Sequence, residues 1–92
     1  MYYVYVLISE KDRKLYIGST PDIKIRILKH EKGYVKATKN RRPIKLIYFE
    51  CYEQNDDAKK REIFLKGGKG HEELKIQLKK TLAKNKYLER TK

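Results

Sequence analysis

The apolar residues of this chain fall into short runs of two kinds, whose spacing predicts strands and helices. Runs rich in β-branched and aromatic residues cover 1–8, 14–18 and 44–52, and the turn-prone stretch 10–13 predicts a β-hairpin between the first two. Stretches with helical spacing follow the hairpin once and the third strand twice. The resulting order, ββαβαα, with so short a sheet, predicts an α/β sandwich rather than a doubly wound parallel fold.

The ends of the first helix are marked by capping and breaking residues. Thr20 is predicted to be its N-cap, because a threonine side chain accepts a free backbone N–H there, and Pro21 suits the first helical position. The helix runs to about His30 and ends at Gly33. Residues 34–43 are then predicted to form a basic loop.

Glycines separate the two helices that follow the third strand. The first of these helices is predicted over 55–66 and is broken at Gly67–Gly68. The second opens at Glu72 and carries a row of leucines that we interpret as core positions: Leu74, Leu78 and Leu82. The pattern therefore predicts two consecutive helices with a glycine-rich turn between them.

Composition limits the classes of partner. The 92 residues suit one small domain, predicted over 1–86 with a basic tail at 87–92. The net charge of +12 attracts polyanions, of which nucleic acid is the commonest, whereas a membrane-surface protein would need an amphipathic helix that the sequence lacks. No stretch is long enough to span a membrane. The lone Cys51 and the absence of signal-peptide features predict a cytoplasmic location.

Tyr5 and Tyr16 lie in the two strands of the predicted hairpin. A tight turn places them opposite or diagonal to one another on one face, whereas a slip of one residue would separate them across the sheet. Two phenols on one face suggest a site. The alternative is that aromatic residues simply favour strands, which usually explains any single tyrosine.

Arg26 and His30 are four residues apart on the first helix and therefore lie on the same side of it. A guanidinium there can hold a phosphate through two hydrogen bonds, and an imidazole can accept or relay a proton. A solvated helix face is the alternative for either residue alone. Their position directly after the Tyr16 strand favours a joint role.

Glu62 interrupts an apolar stripe of the second helix. Ala58, Glu62 and Leu65 have the spacing of a buried face, where a carboxylate is costly unless it is paired with a cation or a metal. An internal salt bridge, for example to an arginine, and a metal ligand facing the sheet both explain this position. A single carboxylate, completed by water and phosphate, suits Mg²⁺ or Mn²⁺ and not zinc.

A basic run precedes and enters the third strand. It has five cations in ten residues and no acidic group: Lys36, Lys39, Arg41, Arg42 and Lys45. Such a run is most often a solvated face. In a chain of this charge, a strip that binds the nucleic-acid backbone is at least as good an explanation.

Five strings of the chain resemble motifs of the GIY-YIG nuclease family, in that family's order and spacing. They are Tyr3–Leu7, Leu15–Thr20, Asp22–His30, Arg42–Glu50 and Ala58–Glu62. No single string is very specific, but five in the correct order within one short chain are a strong signal. The likeness covers nearly the whole chain and is closest to the small single-domain members.

The resemblance implies a small three-stranded antiparallel sheet flanked by helices, and a metal-dependent endonuclease that hydrolyses DNA phosphodiester bonds with one divalent ion, Mg²⁺ or Mn²⁺. It implies these catalytic residues: Tyr5, Tyr16, Arg26, His30 and Glu62. Glu62 would hold the metal, Arg26 would grip the scissile phosphate, and His30 would relay a proton. We expect Tyr5 to be the general base with Tyr16 as its hydrogen-bond partner, although the sequence does not order the two.

Three departures from the family pattern bear on function. Tyr3-Val4 replaces Gly-Ile, Ser19 stands where the DNA-repair branch has lysine, and Asn85 lies too far beyond the glutamate to match a late family asparagine. The alternative function is a non-catalytic nucleic-acid-binding module, which needs the cations but not the carboxylate. The sequence predicts DNA as partner and no small-molecule cofactor. It leaves open the oligomeric state and whether the DNA is duplex, branched or single-stranded.

Overall fold

Three strands and five helices make up the described part of the chain. The computed structural model describes residues 1–88, so the predicted tail lies outside the described residues from position 89 onward. In chain order the elements are β1 (Tyr2–Ser9), β2 (Leu15–Thr20), α1 (Ile23–Glu31), α2 (Lys36–Lys39), β3 (Ile44–Tyr52), α3 (Asn55–Lys66), α4 (Gly68–Gln77) and α5 (Lys79–Lys84). The three predicted strands and the predicted helix over 55–66 are confirmed.

The sheet has the strand order β2-β1-β3, and both pairings are antiparallel. This arrangement confirms the hairpin and the small three-stranded antiparallel sheet. β1 lies in the centre, so its residues 4–9 are all buried, while β2 and β3 form the two edges. An extra β3 residue between the partners of Val6 and Leu7 forms a β-bulge.

Helices cover both faces of the sheet, as predicted for an α/β sandwich. Successive strand residues point to opposite faces, so alternate residues of β1 face α1 on one side and α3 to α5 on the other. The larger core, on the α3 side, contains Val4, Val6, Ile17, Ala58, Leu65, Leu74, Leu78 and Leu82. The smaller core, on the α1 side, contains Tyr5, Leu7 and Ile44, flanked by Ile23 and Ile27. The interpretation of the late leucines as core residues is confirmed.

The N-cap of α1 is Asp22 rather than Thr20, which corrects the predicted start of this helix. Asp22 Oδ1 accepts the backbone N–H of Ile25 at 3.1 Å. Thr20 stays in β2, where it pairs with Tyr3, and its hydroxyl accepts the N–H of Asp22 at 3.2 Å. Pairing within the sheet therefore moves the start of the helix two residues along the chain.

The predicted last helix starts earlier than its acidic residues suggested. α4 begins at Gly68 rather than Glu72, because Gly67 is extended (φ −78°, ψ 166°) and turns the chain from α3 into α4 in a single residue. Gly70 lets the two helices meet, since a Cβ there would lie 1.8 Å from the carbonyl oxygen of Phe64. The glycine-rich turn is thus a close helix-to-helix junction.

The helices are short, and two of them differ from the predicted pattern. Residues 34–43, predicted to be a loop, contain the four-residue helix α2, whose Thr38 is fully buried. The predicted last helix is interrupted at Leu78, which separates α4 from α5. None of the helices within residues 1–88 has the length and apolar content to cross a membrane.

Candidate active site at the edge strand

Tyr5 and Tyr16 lie on the α1 face of the hairpin, as the sequence predicts. Tyr5 pairs with Gly18 and Leu7 pairs with Tyr16, so the two tyrosines are diagonal neighbours with ring centroids 6.3 Å apart. Their environments differ. Tyr5 is fully buried, whereas Tyr16 is half-buried and reaches solvent.

Gly18 explains how the Tyr5 side chain extends over β2. A Cβ on Gly18 would lie 2.5 Å from the hydroxyl oxygen of Tyr5 and 2.7 Å from the ring carbon that carries it. The missing side chain leaves room for the phenol directly above the strand. The string Tyr16-Ile17-Gly18 therefore has a steric basis, since any larger residue after Ile17 would displace the Tyr5 hydroxyl.

A chain of hydrogen bonds runs from α1 through β1 to α2. Arg26 Nε donates to Tyr5 Oη at 3.3 Å, and Tyr5 Oη lies 2.8 Å from His30 Nε2. His30 Nδ1 lies 2.7 Å from Thr38 Oγ1. Because arginine is only a donor, the Tyr5 oxygen accepts from Arg26. The direction of the other two hydrogen bonds is set by which ring nitrogen of His30 carries the proton.

Burial keeps both central members of this chain uncharged at neutral pH. His30 is fully buried, and burial together with the charge of Arg26 lowers its pKa to about 4. Burial also raises the pKa of Tyr5, against the opposing effect of the hydrogen bond from Arg26. A neutral imidazole and a protonated phenol can each donate one hydrogen bond and accept another within this chain.

Arg26 connects this buried chain to the surface. Its side chain is half-buried, and its Nε is used by Tyr5, which leaves the terminal nitrogens of the guanidinium for a ligand. The hydrogen bond to Tyr5 raises the pKa of Arg26, and the hydroxyl of Tyr16 acts in the same direction. Arg26 therefore lies within reach of both phenols.

Glu62 approaches β2 from the opposite face of the sheet. Ser19 Oγ donates to Glu62 Oε1 at 2.7 Å, and Lys66 Nζ pairs with Oε2 at 2.7 Å. Lys59 Nζ lies 3.9 Å from Oε1, and the Glu62 side chain is 14% exposed. Burial raises the pKa of Glu62, but the contacts with Lys66 and Ser19 outweigh it and hold this pKa below its usual value.

The salt bridge considered for Glu62 is present, with a lysine in place of an arginine. Arg61 instead holds Glu50 of β3 through two hydrogen bonds of 2.9 and 3.0 Å. The hydroxyls of Tyr48 and Tyr52 each donate to the same carboxylate at 2.6 Å. This cluster ties α3 to β3 and so fixes the helix that carries Glu62.

The donor set around Glu62 fits one hard divalent cation with few protein ligands. Within residues 1–88, no three His, Cys, Asp or Glu side chains form a ligand cluster. Mg²⁺ commonly takes one or two carboxylates and completes its shell with water and phosphate oxygens, which Glu62 can satisfy. Lys66 is 51% exposed and pairs with Glu62 one turn along the helix, an arrangement weak enough for a divalent cation to displace.

Only the edge strand β2 separates Glu62 from the tyrosines. Ser19, which binds Glu62, follows directly after Gly18, over which the Tyr5 hydroxyl lies. After burial, the main cause, the charge of Glu62 also contributes to the raised pKa of Tyr5. On the other side, the ring centroids of Tyr16 and His30 are 5.1 Å apart. The five site residues predicted from the sequence therefore meet around this edge.

Two hydroxyls of the site were not assigned to it from the sequence. Ser19 was noted only as a departure from the family pattern, yet it binds the Glu62 carboxylate. Its place next to Tyr16-Ile17-Gly18 was an available signal. Thr38, which completes the His30 chain, lies eight residues beyond that histidine in a stretch predicted to be loop, and no local pattern marks it.

The basic run does not form one continuous strip. Arg41 donates through two nitrogens to Asp12, at 2.7 and 3.3 Å, and this contact lowers the pKa of Asp12 to about 2. Lys45 pairs with Ile8 and therefore lies on the α3 side of the sheet, where its Nζ donates to Asn85 Oδ1 at 2.9 Å. The other three cations are exposed at or next to α2: Lys36, Lys39 and Arg42.

Comparison with known proteins matches nearly the whole chain to one family model. The GIY-YIG catalytic domain matches residues 1–87. A UPF0213 protein of Clostridium perfringens is 36% identical over 88 residues, which cover 95% of this chain and 94% of the relative. A UPF0213 protein of Staphylococcus saprophyticus is 40% identical over 76 residues, 82% of this chain and 92% of the relative. One of Staphylococcus aureus is 41% identical over 66 residues, 71% and 79% of the two chains. No solved structure matches.

Proposed function

This chain belongs to the GIY-YIG family of nucleases, and from that membership we propose that it is a metal-dependent endonuclease that hydrolyses phosphodiester bonds in DNA. The observation that carries the proposal is the convergence at β2 of Arg26, two phenols and Glu62. Together they combine a phosphate-binding cation, a group that can activate water, and a carboxylate for one divalent ion.

Arg26 is the residue that we assign to the scissile phosphate. Tyr5 occupies only its Nε, so the terminal nitrogens keep donors for two non-bridging oxygens. Negative charge on those oxygens grows as the water attacks. A guanidinium fixed in advance by Tyr5 therefore stabilises the transition state more than the bound substrate.

We assign the attacking water to Tyr16 rather than to Tyr5. Tyr5 is fully buried and its hydroxyl is engaged by Arg26 and His30, which suits a positioning residue. Tyr16 reaches solvent and lies near Arg26, so its oxygen can meet a water beside a phosphate bound to that guanidinium. Once it has lost its own proton, Tyr16 takes one from the water. The water oxygen forms the new bond to phosphorus, and the bond to the 3′ oxygen breaks.

Glu62 would hold the divalent ion, Mg²⁺ or Mn²⁺, which when bound neutralises charge on the phosphate and on the leaving 3′ oxygen. The surroundings of Glu62 support this role. Ser19 orients one carboxylate oxygen, and the lowered pKa keeps the carboxylate ionised at neutral pH. Lys66 holds the second oxygen and has to release it when the ion binds.

A non-catalytic nucleic-acid-binding module is the second candidate, and one observation favours it. Both oxygens of Glu62 have partners within the protein, so the carboxylate is satisfied without an ion. In this alternative Glu62 only stabilises the fold. The basic surface then accounts for all contact with nucleic acid.

A cleavage assay with a matched pair of tyrosine variants separates the two candidates. Tyr16→Phe removes the proposed water-activating hydroxyl, whereas Tyr34→Phe removes one from a residue that is 74% exposed and outside the site. Each protein is incubated with supercoiled, branched and single-stranded DNA in Mg²⁺, Mn²⁺ or EDTA. We expect Tyr16→Phe to cut roughly 10²–10⁴-fold more slowly at unchanged DNA affinity.

The controls decide what a negative result means. The wild type and Tyr34→Phe should both cut with either metal and fail in EDTA. If the wild type cuts no form of DNA with either ion, the binding module is the better description. If Tyr16→Phe cuts as fast as the wild type, the water is activated elsewhere.

A further inference from the structure

A positively charged cleft lies at the hairpin end of the molecule, apart from the candidate site at β2. It measures about 240 Å³ and is enclosed by the hairpin turn, the start of β3 and the end of α5. Ile8 also lines it and pairs with Lys45, so the cleft lies on the α3 side of the sheet, the side from which Glu62 approaches β2. Its charged lining residues are Glu10, Arg13, Lys45, Lys84 and Lys86.

The cations of this cleft are held together without matching carboxylates. Four cations stand against the single carboxylate of Glu10. In the part of the chain that the structure describes, Arg13, Lys84 and Lys86 form no ion pair. Lys45 Nζ donates to the neutral amide oxygen of Asn85, at 2.9 Å. Like charges held close together repel, so an anionic ligand would lower the free energy of this arrangement.

Backbone contacts fix the cleft in shape. Arg13 and Lys86 have φ of 61° and 57°, and within residues 1–88 they are the non-glycine residues with positive φ. Arg13 N donates to Ser9 O at 2.8 Å, and Arg13 O accepts from Leu88 N at 2.9 Å. Lys86 N donates to Ala83 O at 3.1 Å. Left-handed backbone persists where the surrounding structure imposes it, and such residues cluster at functional sites.

We propose that this cleft is a second phosphate-binding site, which holds the backbone of the nucleic acid engaged at the β2 edge and so rests on the function proposed for that edge. One DNA strand carries a phosphate per ~3.4 Å of duplex axis, so a short stretch of backbone presents several phosphates side by side. Several adjacent phosphates can satisfy four cations from three chain segments, whereas one small anion can satisfy fewer. Phosphate contacts position without reading bases, so the site adds affinity and no sequence preference.

The test removes three charges from the cleft and three from elsewhere. The cleft variant is Arg13→Asn/Lys84→Gln/Lys86→Asn, with asparagine chosen because it tolerates positive φ. The control variant is Lys29→Gln/Lys60→Gln/Lys69→Gln, which takes exposed lysines from α1, α3 and α4 and changes net charge equally. Binding of labelled single-stranded and duplex oligonucleotides is measured by fluorescence anisotropy in EDTA at several salt concentrations.

We expect the cleft variant to reduce the slope of the log of the DNA-binding constant against the log of salt concentration by about two to three, because each phosphate that is no longer neutralised accounts for ~0.7–0.9. The control variant should change this slope much less. Equal changes in both variants would overturn the proposal, because net charge alone would then explain binding. An unchanged slope in the cleft variant would overturn it too, as would competition by polyglutamate as effective as by DNA. If the triple variant does not fold, Lys84→Gln alone should flatten the slope by about one.

Because these measurements are made in EDTA, they do not depend on cleavage. A wild type that binds but never cuts would refute the proposed nuclease and leave the cleft result standing. A wild type that cuts normally while both variants bind alike would refute the cleft and leave the nuclease standing.

Discussion

The two faces of the edge strand hold their polar residues in different ways. On the α1 face, Tyr5 and His30 are fully buried and joined by a direct hydrogen bond. On the α3 face, Glu62 is bound by Lys66, whose side chain is 51% exposed. The first arrangement is closed by the protein core. The second ends in a flexible side chain that water or an ion can replace.

Two carboxylates on the α3 face sharpen this contrast. Glu50 accepts two hydrogen bonds from Arg61 and one each from two tyrosines, so its partners leave no room for exchange. Glu62 accepts one hydrogen bond from Ser19 and one from Lys66. A planar, bidentate arginine is a permanent partner, whereas an exposed ammonium is a replaceable one. In the function proposed above, Glu50 is therefore a structural residue and Glu62 is the carboxylate that exchanges Lys66 for the ion.

The largest effect should come from Glu62→Gln, which removes the carboxylate charge and keeps its shape. We expect cleavage to fall by roughly 10³-fold or more, since a bound cation supplies several kcal/mol of transition-state stabilisation. DNA affinity and thermal stability should change little. Glu50→Gln is the matched control and should lower the free energy of unfolding by about 2 kcal/mol, because a mostly buried ion pair is broken.

A reversed outcome would break the comparison between the two carboxylates. If Glu62→Gln cuts normally but melts much earlier than the wild type, Glu62 is the structural residue. Nicking of supercoiled DNA and differential scanning calorimetry on the same two variants provide both readouts.

Arg26→Ala should lower cleavage by roughly 10²–10³-fold and shift DNA affinity far less, because charge that develops during bond breaking uses the guanidinium most fully. Arg26→Lys should restore little of the cleavage rate, since a point charge cannot make two parallel hydrogen bonds to a phosphate. Lys29→Ala, on the same helix, is the control for the removal of charge. Equal losses of binding and cleavage would make Arg26 an ordinary phosphate contact.

The free energy of unfolding should also depend on pH, because His30 is buried on the α1 face. Its pKa of about 4 in the folded protein lies below the usual 6.5, so the stability it contributes is complete above pH 6.5 and is lost as pH falls toward 4. The full loss is about 3 to 4 kcal/mol and is complete only below pH 4. Urea unfolding at pH 7.5 and 5 should show part of it in the wild type and in His71→Gln, the other histidine, but not in His30→Gln. A pH dependence that survives in His30→Gln would assign it to other groups.

The smallest effect should be on the affinity of Glu62 for a divalent ion. Lys66→Gln frees the second oxygen of Glu62, and we expect Mn²⁺ to bind about 2–3-fold more tightly, the worth of an exposed ion pair of roughly 0.5 kcal/mol. Lys60→Gln, on the same helix with the same change of charge, is the control. Mn²⁺ titration without DNA measures both. Equal gains in Mn²⁺ affinity in the two variants would mean that Lys66 acts through its charge and not through its contact with Glu62.

Much of the site was predictable because its residues are marked by local pattern. The hairpin was readable from two β-type runs and a turn, and a shared face for Tyr5 and Tyr16 was predicted on condition of a tight turn; the structure supplied the register. Glu62 stood out because a carboxylate on an apolar stripe needs a partner. The start of α1 was misplaced at Thr20, because capping propensity does not register that β2 keeps this residue in its ladder.

The sequence by itself determined where the strands lie, which helix faces are apolar, and which side chains carry chemistry, because these depend on neighbours along the chain. Tertiary structure alone decided which partner each charge meets. In the fold, Arg41 pairs with Asp12, Lys45 lies on the α5 side of the sheet, and Ser19 donates a hydrogen bond to Glu62. Such pairings join residues that are distant in sequence, and they depend on how helices pack on the sheet, which no local periodicity encodes. The same packing decides that Tyr5 is buried and Tyr16 is open to solvent.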